Sequence, residues 1–432
     1  MSLNPRLIRT MTRGLLLVAC FAATVPVSQR RAIAQSTGSI VSNGVANQLG
    51  LERVWSTQVR VDPARGRVQS IRVYPNLILA HTSMGTVQAI DPETGGTLWA
   101  TGVGNPRYET LAPSANDKHV AVTNGSSLFM LERQTGAVLW EQSISGSPSA
   151  GTEMNAEMAF VPLDTGIVEA YKIKRETGQD KLPARYSGRQ GAVAAPLFAR
   201  GRLHWTVPRG YVYSREVGPE VVQFRFEMDD DASAPAAYML PFVYAASRAG
   251  TVYCLNEVTG AEHWRFRLAG SVSHPIVTVD GALIAVSELG EMARLNPMNG
   301  LQQWYQREVS QILSVGSGRI YAVTTSGALA AYDLASGRRL GAVAVPTGDL
   351  TVHNQVTDRI YLATTTGLLQ CLRETSLAKP LVHTPGYAIA PKLKPGEQPA
   401  AAPTDGAAPA DGAAPAPPAP APPAAANPFG GT

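Results

Sequence analysis

Gly85-Thr-Val-Gln-Ala-Ile-Asp-Pro-Glu-Thr-Gly-Gly-Thr-Leu-Trp99 is the stretch that decides the fold, because the chain carries eight copies of its pattern. The pattern is a glycine, alternating apolar residues, an Asp or Asn, a turn ending in glycine, and a tryptophan four residues later. Gly250–Trp264 and Gly290–Trp304 repeat it closely, and weaker copies begin at Ser126, Gly166, Gly210, Gly327 and Gly367. Successive copies begin 37 to 44 residues apart. A period of about forty residues predicts a closed or stacked repeat fold.

Each copy has the pattern of a four-stranded antiparallel sheet. Val87 and Ala89 alternate as on one face of a strand, and the residues from Asp91 to Gly95 have the composition of a tight turn. One such sheet cannot bury both faces, but radially stacked sheets can, with a tryptophan between neighbours. The sequence therefore predicts an all-β fold, an eight-bladed β-propeller of four-stranded antiparallel blades. The framework residues are Gly85, Asp91, Gly95, Trp99, Gly136, Trp140, Gly250, Gly260, Trp264, Gly290, Gly300, Trp304, Gly327, Gly337 and Gly367.

The closure of the ring is also predicted from the repeat. Residues 51–59 resemble a fourth strand with no blade before it, and they contain Trp55. The last copy has Leu381 where its tryptophan is expected. We expect residues 51–59 to complete the last blade and so remove two exposed edges. The alternative is pairing by residues 380–383.

Copies three and four depart from the pattern. The distance from Gly166 to its turn glycine, Gly178, is two residues longer than usual. In the fourth copy Glu220 replaces the turn glycine and Phe224 replaces the tryptophan. We interpret both departures as drift within a tolerant repeat.

Residues 1–34 have the organisation of a signal peptide, and residues 35–50 are assigned to a linker before the propeller at 51–386. Arg6, Arg9 and Arg13 precede an apolar stretch that is too short to span a bilayer, and Ala32-Ile33-Ala34 supplies a cleavage site. An uncleaved anchor is one alternative. Another is lipidation at Cys20, because Leu17-Val-Ala-Cys20 resembles a bacterial lipobox.

Residues 387–432 are predicted to be a disordered tail rich in proline and alanine. Such a composition cannot bury enough apolar surface to fold and behaves as a semi-extended spacer. Asn427-Pro-Phe429-Gly-Gly is a candidate short binding motif within it.

The positive charge of the chain belongs to the leader. The formal charge is +4, but residues 1–34 contain five arginines and no acid. Without them the 37 basic side chains become 32, against 33 acidic ones. A balance this close to neutral argues against nucleic acid or anionic lipid as a partner.

Ala89-Ile-Asp91-Pro-Glu-Thr94-Gly95-Gly-Thr-Leu-Trp99 resembles the A-x-D-x-x-T-G-x-x-x-W run of the PQQ-type repeat. The resemblance covers residues 51–386 and implies an eight-bladed propeller. Two groups use such rings: quinoprotein dehydrogenases, and non-enzymatic scaffolds similar to the propeller component of the outer-membrane barrel-assembly complex. The dehydrogenases resemble longer chains with a vicinal cysteine disulfide and a calcium site. This chain has no adjacent cysteines and no long insertion in its ring.

Other candidate sites are weak in this sequence. Cys254 and Cys371 occupy the same position in non-adjacent copies, too far apart for a disulfide, and are expected to be buried. Asp229–Asp231 is interpreted as a solvated loop, since it lacks calcium-loop spacing. Arg209–Tyr213 and Trp264–Arg267 are candidate recognition patches, although the second alternates like a sheet with one solvated face. The seven histidines show no zinc spacing, and there is no G-x-S-x-G motif.

We therefore predict no catalytic, cofactor-binding or metal-binding residues. The expected function is a non-catalytic scaffold that binds protein in the bacterial envelope, with a role in outer-membrane protein assembly. The alternative is a propeller that binds a quinone or another small ligand, as an enzyme or a sensor. We expect an exported monomer in the periplasm or outer envelope, with protein partners and, through Cys20, a membrane tether as an open alternative.

Overall fold

Each sequence copy forms an antiparallel sheet in the computed structural model, which describes residues 39–175, 182–189, 191, 194–218, 222–384 and 386. The turn of the first copy shows why. The Asp91 carboxylate accepts hydrogen bonds from the backbone N–H groups of Glu93 and Thr94. Gly95, at φ +69°, donates its N–H to the Asp91 carbonyl oxygen. An L side chain is strained at that φ, which explains the glycine.

Within the described residues the chain forms 31 strands in eight sheets, preceded by helix α1 (Asn43–Ala46) and a 3-10 turn (Asn47–Leu49). The first strand is β1 (Leu51–Gln58). Blade 1 consists of β2 (Val68–Tyr74), β3 (Leu77–Thr82), β4 (Thr86–Ile90) and β5 (Thr97–Gly102). Blade 2 consists of β6 (Ser114–Ala115), β7 (His119–Asn124), β8 (Ser127–Glu132) and β9 (Val138–Ser143). Blade 3 consists of β10 (Glu153–Met154), β11 (Met158–Pro162), β12 (Ile167–Lys172) and β13 (Ala184–Ser187). Blade 4 consists of β14 (Leu197–Ala199), β15 (Arg202–Val207), β16 (Tyr211–Glu216) and β17 (Val222–Glu227).

The second half of the ring continues the same order. Blade 5 consists of β18 (Ala237–Met239), β19 (Phe242–Ala246), β20 (Thr251–Asn256) and β21 (Glu262–Arg267). Blade 6 consists of β22 (Val277–Val279), β23 (Ala282–Val286), β24 (Met292–Leu295) and β25 (Gln302–Gln306). Blade 7 consists of β26 (Val309–Val315), β27 (Arg319–Thr324), β28 (Leu329–Asp333) and β29 (Arg339–Val343). Blade 8 contains β30 (Ile360–Ala363) and β31 (Leu368–Glu374). The predicted eight-bladed antiparallel propeller is confirmed.

We name the four strands of a blade A to D in chain order. First strands of neighbouring blades contact one another, as β6 contacts β10, so strand A lines the centre of the ring. The A–B and C–D loops therefore lie on one face, the AB face. The B–C loops and the connections between blades lie on the other, the BC face. Among the described residues no helix is long and apolar enough to cross a membrane.

The ring closes as predicted, with β1 as the outer strand of blade 8. β1 pairs antiparallel with β31, and Trp55 lies opposite Cys371. Blade 8 is a sheet of three strands rather than four, with the single bridge between Leu350 and Ala363 at the place of strand A. The alternative closure by residues 380–383 is wrong, because Val382 pairs with Thr357, before strand β30.

A tryptophan locks most blades to the next one. The Trp99 indole N–H donates to the carbonyl oxygen of Arg133 in blade 2 at 2.7 Å, and Trp99 itself is 7% exposed. The same bond joins Trp55 to Pro92, Trp140 to Ile173, Trp264 to Pro297 and Trp304 to Leu334. The turn glycine of the next blade lies under the ring, so a Cβ on Gly95 would come within 2.6 Å of Trp55. The repeat glycine and tryptophan thus form one contact across the junctions of Trp55, Trp99, Trp264 and Trp304.

Residues 39–50, assigned to a linker from sequence, pack against blades 7 and 8. Ile40, Val41 and Leu49 join the buried cluster that contains Leu329 and Leu372. The backbone N–H groups of residues 40 and 41 donate to the Gln370 side chain. The segment thus adds buried apolar side chains to blades 7 and 8 from outside the eight repeat copies.

Residues 377–386, which we name the strap, follow blade 8 along the AB face. Leu381 exchanges hydrogen bonds with Asp358, whose carboxylate pairs with Arg359 at 3.0 Å. His383 contacts the Val315 carbonyl of blade 7 at 2.8 Å and the Asp280 carboxylate of blade 6 at 2.7 Å. The Leu240 N–H of blade 5 donates to the carbonyl of residue 386 at 2.9 Å. The strap therefore crosses blades 8, 7, 6 and 5 in turn.

Candidate functional site

The two cysteines of the ring have no features of a reactive or cofactor site. Cys254 and Cys371 are free and fully buried, as predicted. Burial raises the pKa of both thiols, which keeps them protonated and unreactive. Within the described ranges no group of three or more His, Cys, Asp or Glu side chains is arranged to hold a metal ion.

The nearest approach to a catalytic arrangement is a serine–histidine pair on the wall of a cavity of about 440 Å³. The Ser70 hydroxyl lies 2.8 Å from His81 Nδ1, and His81 Nε2 lies 3.1 Å from the Thr110 carbonyl oxygen. Burial lowers the pKa of His81 to about 4, so the ring is neutral near pH 7. A neutral ring with both nitrogens engaged inside the sheet is typical of a structural histidine.

Glu153, in one of the strands that line the centre of the ring, carries a carboxyl group that is partly withdrawn from solvent. Burial raises the pKa of Glu153, in β10, to about 7, although the charge of Arg72 in β2 opposes the shift. Tyr74 lies next to these residues and is uncharged, because burial raises its pKa to about 12. Its hydroxyl oxygen accepts a hydrogen bond from the Ala115 N–H. Protonation of Glu153 at mild acidity leaves the positive charge of Arg72 uncompensated in this part of the channel wall.

Arginine and aromatic side chains are grouped on the BC face of blades 3 to 5. There β16 supplies Tyr211 and Tyr213, whose rings are 3% and 5% exposed. Tyr213 stacks on Trp205 of β15 with the ring centroids 5.2 Å apart. Its hydroxyl oxygen also accepts the Arg189 N–H from blade 3. The predicted patch Arg209–Tyr213 therefore does not present its aromatic rings to solvent; they form a rigid floor.

Exposed arginines lie above that floor. The Arg189 guanidinium carbon is 4.7 Å from the Tyr211 ring centroid, and that of Arg225 is 5.4 Å away. Arg209 and Arg248, on the B–C turns of blades 4 and 5, are also exposed. Cation–π contact keeps a guanidinium in place while its N–H groups remain free to bind acidic or carbonyl groups. We name Arg189, Arg209, Arg225 and Arg248, with Tyr211, the arginine surface.

The acidic loop after β17 holds the arginine surface in position. Asp231 accepts the Arg209 backbone N–H and lies 3.8 Å from the Arg248 guanidinium. Asp229 accepts a hydrogen bond from Thr251, and the Tyr253 hydroxyl oxygen accepts the Asp229 N–H. Partial burial opposes the shift, but side-chain hydrogen bonds from Ser247, Thr251 and Tyr253 lower the pKa of Asp229. Asp229 and Asp231 are thus structural partners of blade 5 rather than purely solvated side chains.

The second predicted patch, Trp264–Arg267, lies on the outer strand β21. Trp264 is buried against blade 6, while Arg265 and Arg267 are exposed. Arg265 pairs with Glu262 at 2.6 Å. The interpretation as a sheet with one solvated face is correct, and the charge of Arg267 acts on Asp229 of the acidic loop.

Several predicted features lie outside the described residues: the signal peptide, Cys20, the turn residues Gly178 and Glu220, and the tail from residue 387. Sequence reasoning missed Arg189, Arg225 and Arg248, because each lies in a different part of its repeat copy. Their shared surface exists only after the blades stack. The irregular fourth copy was the one available signal, since all three arginines lie in it or in its neighbours.

Comparison with known proteins gives one family. The family model described as "Outer membrane protein assembly factor BamB" matches residues 18–179 and 189–363, more than three quarters of the chain. No curated protein matches the chain.

Solved structures resemble it in fold. BamB from Moraxella catarrhalis is 16% identical with a TM-score of 0.63, covering 76% of this chain and 99% of that one. The computationally designed Ika8 protein is 15% identical with a TM-score of 0.58, covering 71% of this chain and 96% of that one.

Proposed function

The chain belongs to the family of the outer membrane protein assembly factor BamB, and we propose that it is a non-catalytic envelope scaffold that binds proteins during outer-membrane protein assembly. The observation that carries this proposal is the arginine surface. Two exposed arginines, Arg189 and Arg225, lie over the buried Tyr211 ring. Arg209 and Arg248 are exposed on turns that Asp231 contacts. Arginine and tyrosine over a rigid support are the residue types that dominate protein–protein hot spots.

The chemistry of the arginine surface suggests the kind of partner. Guanidinium groups bind carboxylates and backbone carbonyl groups through several N–H groups at once. An acidic surface or an exposed sheet edge in an envelope protein, where carbonyl groups are unpaired, offers both. We therefore propose that the partner docks on the BC face of blades 3 to 5, and that the chain acts as a monomeric ring exported to the periplasm or outer envelope.

The second candidate function is a small-ligand propeller. It is favoured by the cavity of about 440 Å³ lined by Ser70, His81 and Glu109. A quinone carries carbonyl and carboxylate oxygens that would need hydrogen-bond donors, and Arg67 lines the same cavity. Both ring nitrogens of His81 are already engaged, which leaves few donors for such a ligand.

Two measurements separate the candidates. A tagged chain recovered from detergent-solubilised envelopes should bring down outer-membrane assembly proteins reproducibly. Titration of the purified chain with pyrroloquinoline quinone and calcium should leave the quinone absorbance unchanged. Saturable binding near one equivalent, together with no reproducible protein partner, would reject the scaffold in favour of the ligand-binding propeller.

A further inference from the structure

Two histidines from different blade connections meet near the centre of the propeller. His274 lies in the connection from β21 to β22, and His353 lies in the connection from β29 to β30. Their imidazole centroids are 5.7 Å apart, and the two imidazole planes are inclined by 54°. Both side chains are half-buried rather than enclosed in the core. A small ion from solvent can therefore reach the pair.

Strand β26 fixes both the position and the tautomer of His353. The Asn354 N–H donates to the Leu313 carbonyl oxygen at 2.8 Å, and His353 Nδ1 lies 2.8 Å from the Ile312 carbonyl oxygen. A carbonyl oxygen can only accept, so Nδ1 carries the hydrogen and the neutral imidazole keeps its lone pair at Nε2. Histidines that bind metal ions commonly donate their other ring N–H to a backbone carbonyl in this way.

Gln355 ties together the two connections that carry the histidines. Its side-chain oxygen accepts the Thr278 N–H at 3.2 Å, and its side-chain nitrogen donates to the Ile276 carbonyl oxygen at 3.3 Å. Gln355 closely follows His353 in the chain, and Ile276 closely follows His274. The two imidazoles are thus held beside each other by the protein itself, and such preorganisation lowers the cost of binding a ligand between them.

The nitrogen atoms that could bind a ligand are not engaged elsewhere. Among the residues that the structure describes, neither nitrogen of His274 has a hydrogen-bond partner, and neither does Nε2 of His353. Burial lowers the pKa of both imidazoles, although the negative charge of Glu288 opposes the shift at His274. Both are therefore neutral near pH 7, the form in which an imidazole binds metal ions.

The spacing of the two imidazoles fits one shared metal ion. A metal–nitrogen bond of about 2.0 Å and about 1.1 Å from that nitrogen to the ring centre place each imidazole centroid about 3.2 Å from the ion. Two such centroids are about 5.2 Å apart when the angle at the ion is tetrahedral, and about 6.4 Å apart when the two ligands are in line. The observed separation of 5.7 Å lies between these values.

The chemistry of the pair favours a late first-row transition metal. Imidazole nitrogen suits Cu²⁺, Ni²⁺ and Zn²⁺, of which Cu²⁺ binds most tightly to a given nitrogen site, whereas Ca²⁺ and Mg²⁺ take oxygen ligands. The negative charge of Glu288, which acts on His274, favours a bound cation. No further His, Cys, Asp or Glu of the described ranges completes a cluster of three, so water occupies the other coordination positions.

We propose that His274 and His353 bind one divalent transition-metal ion of the Cu²⁺, Ni²⁺ and Zn²⁺ class near the centre of the propeller. Nε2 of His353 is one ligand, a ring nitrogen of His274 is the second, and water completes the coordination. The bound ion joins the connection between blades 5 and 6 to the connection between blades 7 and 8. Gln355 acts as a positioning residue that holds the two ligands at the distance the ion requires.

Titration with Cu²⁺ tests this proposal, in a chain purified without a histidine tag and freed of metal with EDTA. Calorimetry should show one equivalent bound, and the electron paramagnetic resonance spectrum should show coupling to two nitrogens. His274→Ala and His353→Ala should each weaken binding about tenfold or more and remove one nitrogen coupling. His119→Ala and His263→Ala, at histidines that are also half-buried, are the matched controls and should match the parent. Equal affinity of the parent and the double variant His274→Ala with His353→Ala would mean adventitious surface binding only, and would overturn the proposal.

Two further arms test the geometry of the site. Gln355→Ala keeps both ligands, so it should weaken Cu²⁺ binding about threefold or more while the two-nitrogen spectrum is retained. Unchanged affinity in this variant would reject Gln355 as a positioning residue.

Excess Zn²⁺ should raise the midpoint of thermal unfolding of the parent by about 2 °C or more, because the ion binds the folded chain, and should not raise that of the double variant. An equal rise in both would overturn the proposal. Midpoints without metal show whether each variant is intact. His274→Gln and His353→Gln, which keep more of the side chain, replace the alanine variants where the metal-free midpoint falls.

Discussion

The indole of Trp55 lies on Gly95. Trp55 is in β1, the outer strand of blade 8, and Gly95 is in the C–D turn of blade 1. The indole N–H donates to the Pro92 carbonyl oxygen at 2.9 Å, and a Cβ on Gly95 would come within 2.6 Å of the ring. This contact joins blade 8 to blade 1 and is the point at which the circle closes.

Replacing Trp55 should open the ring at that point. Trp55→Ala removes a buried aromatic ring and leaves a cavity, which costs about 3–5 kcal/mol in protein cores. Trp55→Phe should cost less than half as much, since Phe224 fills the equivalent position of blade 4. Urea unfolding followed by tryptophan fluorescence measures both, with Leu289→Ala, at a 71% exposed leucine, as the control. Equal losses for alanine and phenylalanine would contradict the packing role.

Gly95 and its neighbour Gly96 form a matched pair for a second test. Gly95 has φ +69° and lies against the Trp55 ring, whereas a Cβ on Gly96 would meet only the Thr94 hydroxyl, at 3.3 Å. Gly95→Ala should lower the free energy of unfolding by about 2 kcal/mol or more, from backbone strain and the clash together. Gly96→Ala should stay within about 0.5 kcal/mol of the parent. A similar loss for both variants would show that the contact with Trp55 is unimportant.

The strap is expected to stabilise blade 8. The Arg359 side chain is 1% exposed and bonds to Asp358, to Glu93 of blade 1 and to strap carbonyl oxygens at residues 377 and 378. A chain ending at residue 376 leaves this buried pair short of partners, and unsatisfied buried charge costs about 3 kcal/mol or more. A chain ending at residue 386 keeps every one of these contacts and should unfold at the parent midpoint. Scanning calorimetry compares the two, and identical midpoints would contradict a stabilising strap.

Glu153 should make the ring less stable as the pH rises. Because burial raises the pKa of Glu153 to about 7, the folded chain holds a proton that the unfolded chain releases at about pH 4.5. Stability therefore falls between these two pH values, wherever the folded state binds more protons. Glu153→Gln should remove that slope and gain about 1–2 kcal/mol at pH 8, a value reduced for the solvent contact of this side chain. Parallel stability profiles for parent and variant between pH 5 and pH 8 would exclude this effect.

The sequence was sufficient for features that recur in every blade. The blade count and the Asp91–Gly95 turn depend on local spacing, and the closing strand followed from one unpaired tryptophan, Trp55. The arginine surface could not be predicted, because Arg189 and Arg225 come from different blades and meet only over the Tyr211 ring. The same holds for the bond between His383 and Asp280, which are 103 residues apart.

Both terminal segments were harder to interpret because they have no repeat pattern. The burial of Leu49 depends on the missing side chain at Gly341, a position that is visible only when the copies are aligned on their outer strands.

The most direct test of the central claim measures how much of each envelope partner is recovered by the parent chain and by a variant of the arginine surface. The variant combines Arg189→Glu, Arg209→Glu and Arg225→Glu, and the control combines Arg65→Glu, Arg338→Glu and Arg339→Glu, all exposed on other parts of the ring. With equal unfolding midpoints, the first triple variant should recover outer-membrane assembly proteins at least tenfold less well than the parent, and the control should match the parent. Undiminished recovery by the first variant would contradict a scaffold that binds through this surface.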